Sequence, residues 1–312
     1  METARKGRRP NVLIPYTGPC FTEGYQDFFM YLRPESNGVL VESTMLGVIQ
    51  RNPLYKAGCG LVYLANLPGE FIQRHRIVES HYALKLYFTK YGKAAFTPWM
   101  RSAFQTYYGV SFEEADIVGA FEALDRLGID EEALFRLWVA TEDVLYIHGQ
   151  CVKRKGDLFI VNYDIPALLH KNTTNTDIAV MILRVAMERI DFYRMLGDIQ
   201  KALTEKGMVG PTTPLGRVFH HSKGPFEQIL DALGYLYDTS GNHISLKRIS
   251  FCDYLLGREV SMYRILHAVR KPLMMFRTES GILEERNLIT ATYNCSYSQA
   301  YQLLTKATAS VM

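Results

Sequence analysis

Arg217, His220, His221, Ser222 and Lys223 crowd the stretch RVFHHSKGPFEQIL (217–230), just ahead of Gly224-Pro225 and an amphipathic run. With Gly224 as N-cap and Pro225 as first helical residue, the unpaired N–H groups and the helix dipole favour an anion there. The basic side chains upstream have the chemistry to close around a phosphate or carboxylate. Against this, Glu227 falls at the third helical position, where its own carboxylate can complement the dipole and fold back on the N-cap amide. The stretch matches neither GxxxxGK[ST] nor a GxGxxG after a strand. A capped helix with a basic start explains the same residues more simply.

Other reactive types are spaced less tellingly. His148 and Cys151 have the chemistry of base and nucleophile, but three residues apart on a strand they face opposite ways, so no local dyad forms. Glu188 and Asp191 lie three apart and could share a proton, yet Arg184 and Arg194 stand at helical ion-pair spacing from them. His170, Asn172, Asn175 and Asp177 gather in HKNTTNTD (170–177), in residue types that also serve loops and helix caps. The five cysteines are scattered, in no metal or disulfide spacing, so no metal site is expected.

A second chemistry is the reading of nucleic acid. In EERNLITATYNCSYSQAYQLLTKA (284–307), a left-handed Asn294 at a tight turn would set Ile289, Tyr293, Cys295, Ala300 and Leu303 inward, as in a helix-turn-helix. Ser296 would cap the second helix, and Ser298, Gln299 and Gln302 would point outward from its start, where they can reach base edges. Arg5, Lys6, Arg8 and Arg9 crowd an N-terminal arm, and Lys153, Arg154 and Lys155 stand at a turn; both would contact phosphates. Thr290 replaces the usual alanine and no glycine marks the turn, so two plain antiparallel helices fit the same string.

The elements that must position these residues are mixed. NVLIPY (11–16) and GLVYLANL (60–67) read as strands; GVLVES (38–43) reads as a strand or as the opening of a helix through TMLGVIQ. A helix follows from Ile77 to Gly92. The Ser111/Glu114 spacing predicts a capped helix over FEEADIVGAFEALDRLG, with Asp130 capping the next one. DVLYIHGQCVKRKGDLFIVNYD (143–164) reads as a hairpin turning at 153–156. NTDIAVMILRVAMERIDFYRMLGDIQKALTEKG (175–207) reads as one long helix, apolar all round at first and therefore central, ending at Gly207. The glycines, prolines and threonines of 206–216 read as a linker.

The expected fold class is α+β: an N-terminal mixed α/β region with a β-hairpin and a long buried helix, followed by a mainly helical C-terminal region. Its parts are a flexible basic arm (1–10), an α+β domain (11–206), a linker (207–216) and a helical domain (217–312). At 312 residues and 48% hydrophobic, the chain can bury a substantial core. The net charge of +3 is too small to mark the whole molecule as a nucleic-acid or acidic-membrane binder. Without a membrane-length apolar run or a secretory signal, a cytoplasmic protein is expected, with oligomerisation left open.

Three functions fit. Nucleic-acid binding, to DNA or RNA, comes first because it alone uses two separate sequence features. An enzyme or sensor for a small anionic ligand, phosphorylated or carboxylated, would use Arg217, His220, His221, Ser222, Lys223 and Gly224. A non-catalytic assembly protein needs no motif at all. No catalytic residue and no cofactor is indicated.

Overall fold

The computed structural model describes residues 9–20, 22 and 24–312. Twelve strands occur among the described residues: β1 (Asn11–Ile14), β2 (Gln26–Leu32), β3 (Cys59–Leu67), β4 (Asp116–Gly119), β5 (Val144–Ile147), β6 (Gln150–Lys155), β7 (Leu158–Val161), β8 (Ile178–Val185), β9 (Phe219–His221), β10 (Leu273–Arg277), β11 (Leu283–Asn287) and β12 (Ala307–Ser310). With the helices between them they make an α+β fold, as expected. No helix is long and apolar enough to cross a membrane among the described residues.

The chain divides into two compact units that interleave in sequence. The first holds the chain up to Ile77, Asn172–Val269 and Thr292–Leu303; the second holds Val78–Lys171, Arg270–Ala291 and Leu304–Met312. The expected boundary at 207–216 is therefore not one. That segment lies inside the first unit, where Met208, Val209 and Leu215 pack against the core. Residues 217–312 are shared by both units and include four strands, so they are not a helical domain.

The first unit is built on an antiparallel sheet of order β1-β3-β8-β2-β9. Side chains alternate across a strand, so β2 sends Phe28, Met30 and Leu32 to one face and Asp27, Phe29 and Tyr31 to the other. The first set joins Met45 and Ile49 of the Val39–Arg51 helix and Phe192, Met195, Leu196 and Ile199 of the Arg189–Glu205 helix in an apolar core. The second face is different. It lies against the Pro225–Tyr235 and Ser250–Leu256 helices, and ionisable groups are buried there. Asp27 stands directly opposite Arg184 in the β2/β8 register, and Arg184 Nε donates to Asp27 Oδ1 at 2.7 Å. Asp27 Oδ2 accepts from Tyr16 Oη at 2.8 Å, from Ser250 Oγ at 2.6 Å and from Arg184 Nη2 at 2.9 Å.

Residues 178–185 overturn the expectation of one long helix: IAVMILRV is β8, and helix begins only at Arg189. A strand paired on both edges and covered on both faces is apolar all round, as a buried helix is, and periodicity cannot separate the two. The central position was rightly inferred, but the conformation was not. Asp116–Gly119 likewise is strand β4, parallel to β7, where a capped helix was expected; helix starts at Ala120 and does stop at Gly128. A Cβ on Gly119 would lie 1.7 Å from the Thr89 carbonyl oxygen, so β4 meets the Ala83–Tyr91 helix backbone to backbone. Asp130 caps its helix as expected, accepting from Ala133 N–H at 2.7 Å.

The second unit carries a sheet of order β4-β7-β6-β5 and a three-stranded sheet of order β11-β10-β12. The expected hairpin is present as β6–β7, turning at Gly156, and β5 extends it to a meander. Phe88, Phe96, Met100, Phe104, Phe112 and Phe159 fill the main core of this unit.

Replacing Asp27 by Ala is expected to cost about 3–5 kcal/mol, because Arg184, Tyr16 and Ser250 would lose a shared buried acceptor. Urea unfolding of the Asp27→Ala protein measures this, and a loss below 1 kcal/mol, on the order of a surface pair, would refute it.

Candidate functional site

The stretch 217–231 folds as a corner: strand β9 on the edge beside β2, then the Pro225–Tyr235 helix across the second sheet face. Adjacent strand residues point opposite ways, so the two histidines separate. His221 lies among Phe192, Tyr193 and Phe219 on the apolar face, its Nε2 buried without a hydrogen-bond partner among the described residues. His220 turns to the other face and stacks on Tyr31 at 4.4 Å between ring centroids. There its Nε2 lies 3.2 Å from Asp231 Oδ1 and 4.0 Å from Glu227 Oε1. Glu227 and Asp231 are four residues apart on one helix, which puts both carboxylates on the side that meets β9.

Ser222 completes the cluster. Its Oγ donates to Asp231 Oδ2 at 2.5 Å and accepts from Phe29 N–H at 3.1 Å. The order is thus serine to aspartate to histidine. A nucleophilic serine needs its proton facing the imidazole, so this is no hydrolase triad, and Ser222 is fully buried besides.

Burial without full pairing moves the titration of these groups. Glu227 is pushed up to about 8 from its ordinary 4.5, by loss of water first and by the Asp231 charge second, while the Lys223 N–H it accepts at 2.6 Å opposes the shift. His220 is held well below its ordinary 6.5 by burial, with the Arg33 and Lys223 charges adding to the effect. His221, also desolvated, falls to about 3. Both shifts run toward the uncharged forms, a protonated Glu227 beside a neutral His220.

The expected anion site does not assemble. Glu227 occupies the helix start as its position suggested, taking the N–H of Lys223 rather than that of Gly224. A Cβ on Gly224 would lie 2.2 Å from the Thr292 carbonyl oxygen, so chain 292–294 covers that end, and Asn294 N–H donates to Lys223 O at 2.8 Å. Arg217 pairs with Glu35 at 3.4 Å, His221 is on the far face, and Ser222 is committed to Asp231. Lys223 alone is exposed, its ammonium 5.3 Å from the Tyr293 ring centre.

The nucleic-acid residues fare unevenly. Asn294 is left-handed, at φ 61°, and Ser296 caps as expected: its Oγ accepts from Gln299 N–H at 3.2 Å, and Gln299 Oε1 accepts from Ser296 N–H at 2.8 Å. Ser298, Gln299 and Gln302 are exposed. The two-helix unit itself is absent. Residues 283–287 are β11, and only one turn of helix, Leu288–Ala291, precedes Asn294. That turn belongs to the second unit, whereas the Tyr297–Lys306 helix begins in the first. The Glu284-Glu285-Arg286 run pairs edge to edge with β10, a tertiary choice that helical spacing cannot foresee. Lys153 is not at a turn tip: it is buried in β6, donates to Leu137 O at 2.7 Å and sits 3.5 Å from the Tyr163 ring centre. Arg154 lies over Phe159, and Lys155 is exposed. Arg9 donates to Ser240 O at 3.4 Å, while Arg5, Lys6 and Arg8 lie outside the described residues. Of the other reactive types, Cys151 is buried and pushed up to about 12, and Asp191 pairs with Arg194.

Asp231 is the member that sequence reasoning missed. The available signal was a second acid four residues after Glu227 in a helix otherwise apolar on most sides.

The titrations carry opposite signs. Unfolded Glu227 loses its proton near 4.5 and folded Glu227 near 8, so in that window the unfolded chain binds fewer protons and stability falls as pH rises, levelling off above it. The neutral histidines act the other way, lowering stability as pH falls below about 6.5. Glu227→Gln mimics the protonated acid. Between pH 5 and 8 it is expected to gain on the wild type by on the order of 1 kcal/mol or more; parallel stability curves for the two proteins would contradict the assignment. The chain matches no family model, no curated protein and no solved structure.

Proposed function

We propose that the β9–helix corner of the first unit is the acid–base centre of an enzyme or sensor for a small ligand. Glu227 is the proton donor, Asp231 the fixed carboxylate that orients His220 and Ser222, and His220 the imidazole that takes up charge over Asp231. What supports this is the packing of two acids and a histidine, all buried, into one short stretch of the first unit. Groups whose surroundings push their titrations apart at close range are the usual makings of proton transfer. The resident carboxylates favour a neutral or cationic ligand over the anion expected from the basic residues upstream.

A thermal-shift screen of small metabolites tests it. Neutral or cationic compounds are expected to stabilise the protein, with the effect lost in His220→Gln and kept in His221→Phe. Stabilisation by anions alone, or equal loss in both variants, would count against the corner.

Assembly is a second reading, supported by the exposure of both tryptophans, Trp99 at 47% and Trp138 at 80%. Tryptophan is enriched at the centres of protein interfaces and seldom left open in a monomer. Light scattering checks it: a defined oligomer that Trp138→Ala dissociates is the expected result, and a monomer at all concentrations the contrary one. For nucleic-acid binding, Ser298, Gln302 and Lys155 are exposed among the described residues, but no helix-turn-helix unit carries them.

A further inference from the structure

Two features that cost stability meet at one spot in the second unit. Strands β5 and β6 are joined by the two-residue turn His148-Gly149, with φ 48° and 81°. Both central residues of such a turn are left-handed, which asparagine before glycine satisfies far better than histidine does. Across from it, Glu285 of β11 has a side chain 1% exposed. Its Oε1 accepts from Thr97 Oγ1 at 2.7 Å and lies 3.2 Å from His148 Nε2. Its Oε2 is buried with no hydrogen-bond partner among the described residues. Asn287 Nδ2 donates to the His148 carbonyl at 2.9 Å and ties the turn to β11.

A hairpin needs neither the histidine nor the half-satisfied acid. Strain at a turn and an unmet buried acceptor, meeting through one 3.2 Å contact, are features that persist where a side chain has work to do. The imidazole side chain is 19% exposed, so it is open to solvent at one edge while Nε2 faces the acid. An imidazole whose one nitrogen is held by a carboxylate has its tautomer and orientation set.

We propose that His148, positioned by Glu285, is a general base in the second unit, taking a proton at Nδ1 from a hydroxyl-bearing ligand or from water. The ligand O–H bond breaks, an N–H bond forms at Nδ1, and the electron pair stays on the oxygen. Nε2 keeps its hydrogen on Glu285 Oε1, and the carboxylate, with Oε2 lacking any donor, balances the imidazolium. His148 touches the reacting atoms; Glu285 is a positioning residue. This proposal is independent of the corner in the first unit.

Two measurements on the full chain test it. Nitrogen-15 NMR of the wild type at neutral pH is expected to show His148 as the Nε2–H tautomer with Nδ1 bare; an Nδ1–H tautomer overturns the proposal. Diethyl pyrocarbonate, followed by peptide mass spectrometry, is expected to modify His148 several-fold more slowly in Glu285→Gln than in the wild type, with the other histidines unchanged. An unaltered His148 rate overturns it too. If Glu285→Gln does not fold, the wild-type tautomer decides alone, and His148→Asn, which suits the turn, provides the blank for the modified peptide.

Discussion

Ionisable groups buried on the second face of the β1-β3-β8-β2-β9 sheet are the constraint on which the first unit depends. A sheet covered by helices on both sides normally presents hydrocarbon to both. Here β2 carries Asp27 and β8 carries Arg184 on a face closed by the Pro225–Tyr235 and Ser250–Leu256 helices. A carboxylate in such a place is tolerable only when its lone pairs are met, and Asp27 is met by Arg184, Tyr16 and Ser250. The same face holds a second polar knot, in which Asp231 serves Ser222 and His220. Beside the first knot, Gln228 accepts from Tyr297 Oη at 3.0 Å, while Tyr297 Oη in turn accepts from Asp27 N–H.

The two knots differ in how fully they are satisfied, and that difference separates scaffold from candidate site. Arg184 supplies a permanent charge that neutralises Asp27 in a forked contact, which is how a buried acid is made structural. In the corner the Arg33 and Lys223 charges act on Glu227 and His220, but burial and the Asp231 charge outweigh them at Glu227. Two acids lie close together there, and burial with the Asp231 charge favours a proton on Glu227. A group that must hold a proton to stay buried is one that can release it when its surroundings change.

Part of the first sheet was legible because two of its strands obey simple patterns: NVLIPY and GLVYLANL became β1 and β3. The central strands were not. QDFFMYL carries an acid inside an apolar run, and IAVMILRV is apolar but for Arg184; what decides their conformation is pairing with partners far away in sequence. The site was half legible. The packing of Arg217 to Gly224 drew attention to this corner, and Glu227 does stand at the helix start, but basic side chains suggested an anion where buried acids dominate. Which way His220 and His221 point depends on β9 pairing with β2, and no local pattern in a three-residue strand reveals that. The Asn294 turn and the Ser296 cap were read correctly because both are local. The helix before them was not, because β11 forms only by pairing with β10.

The protonation of Glu227 tests the account most directly. Carbon-13 NMR of the glutamate side-chain carboxyls, followed from pH 3 to 10 and assigned by the signal missing in Glu227→Gln, reports it without any ligand. The corner described here predicts one carboxyl that titrates near 8. A Glu227 signal that has already moved to its ionised position by pH 6, in step with exposed glutamates, would contradict it.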